Sequence, residues 1–231
     1  MPRRTIVIGD IHGCSHAIDA LIRAIAPGPD DTLITLGDMI DRGPDSRGVV
    51  DLLIDVSSRC RFVPILGNHD EMLLDALHDP RALAMWTSCG GAATLDSYGG
   101  TLDGIPEAHR DFLRSCLDWY ATDGHFYTHA CYSEALPLER QSAIDLRWRS
   151  LRDGLPGRHA SGKVAVLGHT SQKDGVVLDG GHFVCIDTYC YGGGWLTALE
   201  IESGCYWQAS ADGQIRATPT EVRRVAFDEE E

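Results

Sequence analysis

The sequence has no long apolar run and no closely paired cysteines. None of its apolar stretches approaches the roughly 20 residues of a membrane-spanning helix, and the N-terminal one is interrupted at Gly9 and Asp10. The eight cysteines are scattered without a CxxC pair, in a chain too long to need a disulfide framework. We therefore expect a cytoplasmic protein with reduced thiols and no membrane association.

Basic residues are also few. Twenty Lys and Arg stand against 34 Asp and Glu, which gives a formal charge of -14. Such a surface repels the phosphates of nucleic acids and anionic lipids, so neither is expected as a partner. An enzyme that handles phosphate is not excluded, because bound cations reverse the local sign of the field around clustered carboxylates.

The chain also lacks internal repeats and low-complexity tracts. Its 231 residues, 43% of them hydrophobic, are enough to bury one substantial core. We predict a single domain over residues 1–225, followed by an acidic tail at residues 226–231.

A recurring pattern is present in about the first seventy residues. Short apolar runs at Thr5–Ile8, Thr32–Leu36 and Arg61–Leu66 each end in Gly-Asp or Gly-Asn, and residues 17–26 and 48–57 between them have helical periodicity. Continuous apolar runs are typical of parallel strands buried on both faces, so the pattern predicts an α/β fold with a β-α-β-α-β series. The carboxyl ends of parallel strands share one edge of a sheet, where such sheets bind ligands.

The remaining chain is divided between helices and strands. Residues 71–122 are mostly helical in pattern and predict an inserted helical cap, with helices beginning near Pro80 and Pro106. Strand-like runs return at His125–Thr128 and Val164–Leu167. Further strands are predicted at residues 182–186, 195–201 and 206–210.

Polar side chains follow five of these predicted strands. They are Asp10 with His12, Asp38, Asn68 with His69, His129 and His169. Oxygen and imidazole ligands in this mixture suit divalent ions such as Mn, Fe or Zn. Two such ions about 3.5–4 Å apart can share a water, lower its pKa and direct it at a phosphorus atom. The sequence therefore predicts a binuclear metal site for phosphoester hydrolysis.

The motifs around these residues resemble a known family. In chain order the strings are Gly9-Asp10-Ile11-His12-Gly13, Gly37-Asp38-Met39-Ile40-Asp41-Arg42-Gly43, Gly67-Asn68-His69-Asp70, Thr128-His129 and Gly168-His169-Thr170. They resemble the GD-x-HG, GD-x-x-DRG and GNH-[ED] signature of the phosphoprotein phosphatase family of metallophosphoesterases. The resemblance covers about residues 5–200. It implies a calcineurin-like fold, in which a central β-sandwich of mixed sheets is flanked by helices.

The resemblance also implies two metal sites that share one carboxylate. The first metal would be held by Asp10, His12 and Asp38, and the second by Asp38, Asn68, His129 and His169. Two divalent ions are the implied cofactors, with Mn²⁺ expected in vitro and Fe or Zn as alternatives.

Acid, orienting and phosphate-binding residues are implied in the same way. His69 corresponds to the histidine that protonates the leaving oxygen, and Asp41 to the carboxylate that orients this histidine. Arg42 corresponds to an arginine that binds the phosphoryl oxygens, and Asn68 is expected to bind the phosphate as well. A second phosphate-binding arginine is expected in the segment 146–152. Arg149 is our first choice there, followed by Arg147 and then Arg152.

Other residues near these motifs have simpler interpretations. Asp70 is interpreted as a helix N-cap, and Trp86, Trp119 and Trp207 as packing residues, since no basic residues are interleaved with them.

Three functions fit the motifs. The first is hydrolysis of phosphoserine and phosphothreonine, and potentially phosphotyrosine, in a phosphorylated protein or peptide partner. The alternative is a symmetrical diadenosine tetraphosphate hydrolase, which shares every string above; the few cations beyond Arg42 and residues 147–152 favour the monoester. A non-catalytic phosphopeptide-binding module is the third, disfavoured because every metal position and His69 are present.

Overall fold

The computed structural model describes residues 3–216 and 222–225. Its strands are β1 (Thr5–Ile8), β2 (Thr32–Thr35), β3 (Arg61–Pro64), β4 (Trp119–Ala121), β5 (His125–Thr128), β6 (Val164–Leu167), β7 (Val177–Asp179), β8 (Phe183–Cys185), β9 (Asp187–Thr188), β10 (Trp195–Glu200), β11 (Tyr206–Ala209), β12 (Ile215–Arg216) and β13 (Val222–Arg224). Its α-helices are α1 (Ser15–Ile25), α2 (Ser46–Ser57), α3 (Asn68–Ala76), α4 (Pro80–Trp86), α5 (Ala92–Ser97), α6 (Glu107–Arg114) and α7 (Ala143–Arg147). The predicted acidic tail at residues 226–231 lies outside the described residues.

The strands form two mixed sheets. In the first, the order is β12-β11-β10-β1-β2-β3, with β9 paired to β10. β1, β2 and β3 are parallel, as their apolar runs predict, whereas β10 is antiparallel to β1. The second sheet has the order β13-β7-β8-β6-β5-β4, and β5, β6 and β8 are parallel. The predicted α/β fold with a central sandwich of mixed sheets is confirmed.

Alternation along each strand explains why whole runs are apolar. Ile6 and Ile8 belong to a core shared with the helices, whereas Val7 between them packs in the core between the two sheets. On β6, Val166 likewise faces the first sheet, and its neighbours Ala165 and Leu167 belong to a third core on the outer side. A fully buried isoleucine or valine stabilises the fold by roughly 1.5–3 kcal/mol, so the apolar residues on both faces contribute to stability.

The helical region between β3 and β5 was predicted over residues 71–122, and its observed bounds differ at both ends. α3 begins at Asn68, inside the GNH string, and α6 ends at Arg114. The segment predicted as cap up to residue 122 therefore includes a strand, because β4 pairs with β5 and extends the second sheet. Helix starts are close to prediction: α4 begins at Pro80, and Pro106 caps α6.

The connections bring five strand ends together. β1, β2 and β3 end beside Asp10, Asp38 and Asn68, and β5 and β6 end beside His129 and His169. None of the helices in the part of the chain described here is long and apolar enough to cross a membrane.

Candidate active site

The loops at these strand ends hold several residues in left-handed backbone conformations. φ is +46° at His12, +48° at Asp38, +73° at Asp41, +67° at Arg42 and +62° at His169. A residue with a side chain is strained there by about 1–3 kcal/mol and remains so only where its surroundings fix it. All five were selected from the sequence as site residues, so the strain is concentrated at the predicted site.

Glycines permit the close approach of these loops. A Cβ on Gly67 would lie 2.1 Å from the Asp38 nitrogen and 2.2 Å from Asp38 Oδ1. A Cβ on Gly168 would lie 2.2 Å from Asp10 Oδ1. Gly67 and Gly168 therefore each let a carboxylate lie against a neighbouring strand end.

Four donor atoms converge at the ends of β2, β3, β5 and β6. Asn68 Oδ1 lies 2.9 Å from His129 Nε2 and 3.1 Å from His169 Nδ1, and the two ring nitrogens are 3.2 Å apart. Asp38 Oδ1 is 3.5 Å from His129 Nε2. These are the four residues predicted to hold the second metal.

The other oxygen of Asp38 faces a second group. Asp38 Oδ2 lies 3.4 Å from His12 Nε2, and one donor atom each from His12, Asp38 and His69 falls within 4.8 Å of the others. Asp10 is buried nearby, and its carboxylate accepts hydrogen bonds from the backbone nitrogen of His169 at 3.0 and 3.1 Å. Asp38 thus lies between both groups, as a bridging ligand would.

The three predicted histidine ligands are oriented by backbone carbonyls. His12 Nδ1 donates to Ile40 O at 2.9 Å, His129 Nδ1 to Leu36 O at 2.7 Å, and His169 Nε2 to Trp148 O at 3.1 Å. A ring nitrogen that donates in this way leaves the other nitrogen with a lone pair, and that lone pair faces the cluster.

Burial keeps two of these rings neutral. It lowers the pKa of His12 to about 3 and, together with the nearby His129, lowers the pKa of His169 to about 4. Neutral imidazole is the form that binds a metal.

The carboxylates crowd negative charge at the same place. Burial and then the charges of Asp187 and Asp38 raise the pKa of Asp10 well above its usual range. Burial opposes the charged form of Asp38 too, but His129 and the other histidines around it outweigh that effect and lower its pKa. Converging lone pairs and crowded carboxylates make a donor set that fits divalent cations.

His69 is held differently from the predicted ligands. Its Nδ1 donates to Asp41 Oδ2 at 2.7 Å, and both residues are buried. The same oxygen accepts from Trp86 Nε1 at 2.7 Å, and Asp41 Oδ1 accepts from Thr94 Oγ1 at 2.6 Å. Trp86 and Thr94 therefore fix the Asp41 carboxylate, which in turn fixes the imidazole.

The electrostatics of His69 also contrast with those of His12 and His169. Burial acts to lower its pKa, but the charge of Asp38 and the hydrogen bond to Asp41 outweigh it and raise the pKa above the ordinary value. The site thus combines neutral histidines with one that favours its protonated form.

Arg42 lies at the mouth of the site. Its side chain is exposed, its Nη1 is 2.9 Å from His12 Nε2, and its guanidinium lies over the Tyr191 ring at 4.6 Å. The Tyr191 ring also meets the His12 ring edge-on at 4.7 Å. A planar cation in this position can donate two parallel hydrogen bonds to a phosphoryl group.

The other predicted arginines have partners of their own. Arg147 is paired with Glu71 and, at 3.1 Å, with Asp118. Arg149 Nη1 donates to Tyr132 O at 3.1 Å and lies 3.7 Å from Asp145. Their assignment to phosphate stays a prediction.

Several contributors were not identified from the sequence. Trp86 is fully buried, as its interpretation as a packing residue requires, but it also donates to Asp41. Thr94 and Tyr191 were not predicted as site residues, since neither lies in a string that contains a predicted metal ligand. Asp70 lies inside α3 instead of at its N-cap; its carboxylate accepts from the nitrogens of Gly67 and Met39.

Known proteins resemble this chain in sequence. Residues 3–195 match the family model described as calcineurin-like phosphoesterase. Serine/threonine-protein phosphatase 1 of Salmonella typhimurium is 38% identical over 216 residues, covering 87% of this chain and 93% of the relative. A symmetrical bis(5'-nucleosyl)-tetraphosphatase of Acidovorax sp. is 43% identical over 75 residues, which cover 32% of this chain and only 26% of that relative.

Solved structures share the fold. A crystal structure assigned provisionally as a diadenosine tetraphosphatase has a TM-score of 0.69 at 24% identity, covering 89% of this chain and 92% of that one. A cold-active protein tyrosine phosphatase has a TM-score of 0.63 at 15% identity, covering 92% and 78%. With its family motifs at the ends of its strands and a match over most of its length, the chain belongs to the calcineurin-like phosphoesterase family.

Proposed function

We propose that this chain is a metal-dependent protein phosphatase that hydrolyses phosphoserine and phosphothreonine, and also phosphotyrosine, in proteins. The observation that carries the proposal is the His69–Asp41 pair, held at 2.7 Å beside Asp38, whose carboxylate lies between His12 on one side and His129 and His169 on the other, side chains that could hold metal ions. This arrangement provides a proton donor next to a site that suits divalent cations.

Two divalent ions, Mn²⁺ in our proposal, would be held by the residues described above. When bound, they would polarise the phosphoryl oxygens and make a water molecule more acidic. Asp10, His12 and Asp38 would hold one ion, and Asp38, Asn68, His129 and His169 the other.

The protein's own groups position the ester and supply the proton. Arg42, at the site mouth, binds phosphoryl oxygens with its planar fork. His69 donates the proton at Nε2 to the departing serine or threonine oxygen, because its Nδ1 is occupied by Asp41. Asp41 stabilises the imidazolium before the transfer and fixes its orientation.

A protein substrate is supported by the extent of one resemblance. The Salmonella phosphatase matches this chain along 93% of its own length, whereas the match to the Acidovorax enzyme covers only 26% of that relative. Arg42 is also exposed at the mouth of the site, where a phosphorylated side chain on a protein surface can reach it.

A second candidate is symmetrical hydrolysis of a dinucleoside tetraphosphate. It is favoured by the higher identity, 43%, of the short match to the Acidovorax enzyme. It would require this site to accommodate a chain of four phosphates.

Turnover of the two substrate classes under identical conditions distinguishes the candidates. The purified chain in Mn²⁺ buffer should have a higher kcat/KM for phosphoserine and phosphothreonine peptides than for diadenosine tetraphosphate. His69→Asn, which removes the proton donor, serves as the control for contaminating phosphatase. Dominant cleavage of the dinucleotide would overturn the proposal in favour of the second candidate.

A further inference from the structure

A cleft with a cavity volume of about 440 Å³ lies beside the candidate active site. Its wall includes Thr170, which directly follows the predicted ligand His169, and Leu151, whose backbone nitrogen donates to Thr170 Oγ1 at 2.9 Å. Arg152 and Lys173 line the same cleft. The cleft therefore shares a loop with the site where phosphate chemistry is proposed.

Two of the positive charges in this cleft, those of Arg152 and Lys173, have no carboxylate partner among the described residues. Both side chains are exposed. Arg223, also in the cleft, is paired with Asp174 at 2.7 Å. In a chain with a formal charge of -14, two unpaired cations in one cleft produce a local field that attracts an anionic group.

The two cations are held in place by contacts that leave their charges available. Arg152 Nη2 donates to Ser171 O at 2.8 Å, a neutral acceptor. The Lys173 ammonium lies 5.7 Å from the centroid of the Tyr189 ring. Both side chains are therefore partly ordered before an anion arrives, which lowers the entropy lost on binding.

Two tyrosines connect the cleft with Arg42. Tyr189, beneath Lys173, meets the Tyr191 ring at 4.9 Å, and Tyr191 in turn lies beneath the Arg42 guanidinium at 4.6 Å. A continuous row of contacts thus runs from the predicted phosphate-binding arginine to the cationic cleft. An extended peptide advances about 3.3 Å per residue and can follow such a row.

We propose that this cationic cleft binds an acidic side chain of the phosphorylated polypeptide, a few residues from the phosphorylated one. The inference rests on the proposed protein phosphatase function and adds a substrate class to it: phosphopeptides with neighbouring Asp or Glu. Arg152 and Lys173 contact the carboxylate, while Arg42 holds the phosphoryl group.

The test compares two phosphoserine peptides that differ only in charge. One carries Glu two to four residues from the phosphoserine on either side, and the other carries Gln at the same positions. Wild-type protein should have a kcat/KM about 3- to 10-fold higher for the acidic peptide, the size expected for two exposed charge contacts, and added salt should reduce the preference.

Lys173→Glu should remove or invert this preference. Its kcat/KM for the Gln peptide and for p-nitrophenyl phosphate should remain at the wild-type level. Arg23→Glu, a charge reversal on α1 outside the cleft, should keep the preference and serves as the matched control.

The outcomes separate this inference from the function on which it rests. Equal wild-type rates on both peptides, an unchanged preference in Lys173→Glu, or an equal loss on all substrates would overturn the inference alone. A wild-type protein that cleaves diadenosine tetraphosphate but neither peptide would overturn the proposed function and the inference with it.

Discussion

Replacing Asp41 with asparagine removes the negative charge beside His69 while keeping the shape of the side chain. Asp41 has φ at +73°, a conformation that asparagine adopts more readily than most residues. The amide oxygen can accept from His69 and Trp86, and the amide nitrogen can donate to Thr94 Oγ1, whose hydroxyl can turn to Ser46 Oγ at 2.9 Å. We therefore expect Asp41→Asn to fold with every local hydrogen bond satisfied.

The loss in rate follows from the change in one hydrogen bond. A bond to a charged group contributes about 1.5–3 kcal/mol and a neutral one about 0.5–1.5 kcal/mol, and burial enlarges the difference. A loss of about 1.4–2.7 kcal/mol in stabilising the protonated His69 corresponds to a roughly 10- to 100-fold lower kcat/KM for a phosphoserine peptide.

Two substrates with different leaving groups show whether the loss in rate comes from proton donation. Serine leaves as a poor alkoxide that needs a proton, whereas p-nitrophenolate is a stable anion, so Asp41→Asn should reduce kcat/KM for p-nitrophenyl phosphate much less. Thr94→Val, which removes one hydrogen bond from Asp41 but keeps its charge, should have a smaller effect on the peptide. Equal losses on the peptide and on p-nitrophenyl phosphate would refute the role of the pair in proton donation.

Three further changes test the scaffold around the site. Asp38→Asn should abolish Mn²⁺-dependent turnover, because both ligand groups lose their shared charge; turnover restored by excess Mn²⁺ would contradict the bridging role. Gly67→Ala should lower the free energy of unfolding by about 1–3 kcal/mol, measured in urea, since its Cβ would lie 2.1 Å from the Asp38 nitrogen; wild-type stability would contradict this packing. Asp31→Asn should cost about 1 kcal/mol at pH 7, because the hydrogen bond from Arg4 lowers the pKa of Asp31 from 3.8 to about 2. That stabilisation is present above about pH 4 and is lost as the pH falls towards 2, so the stabilities of the variant and the wild type should converge over that range, and a constant difference would contradict it.

Strands and the site residues at their ends could be predicted because both are visible in short stretches of sequence: a buried strand is an apolar run, and a candidate ligand is a polar residue directly after it. Thr5–Ile8, His125–Thr128 and Val164–Leu167 have the predicted bounds, since strands buried on both faces are mostly apolar in sequence. Asp10 and Asp38 follow such runs directly, so topology alone brings them to one edge.

Residues that contact the site from distant parts of the sequence could not be predicted in this way. Trp86 and Thr94 reach Asp41 from 45 and 53 positions away, through packing of the helical region against the second motif. β4 lies within a segment of helical pattern and becomes a strand because β5 offers it an edge. The strained backbone at His12 and Arg42 is likewise a property of loops packed in three dimensions.

Anomalous scattering of manganese in crystals of the Mn²⁺-loaded protein tests the binuclear centre directly. We expect two peaks about 3.5–4 Å apart on either side of the Asp38 carboxylate, one beside His12 and the other beside His129 and His169. A single peak, or manganese only on surface carboxylates, would contradict the binuclear centre on which the proposed phosphatase depends.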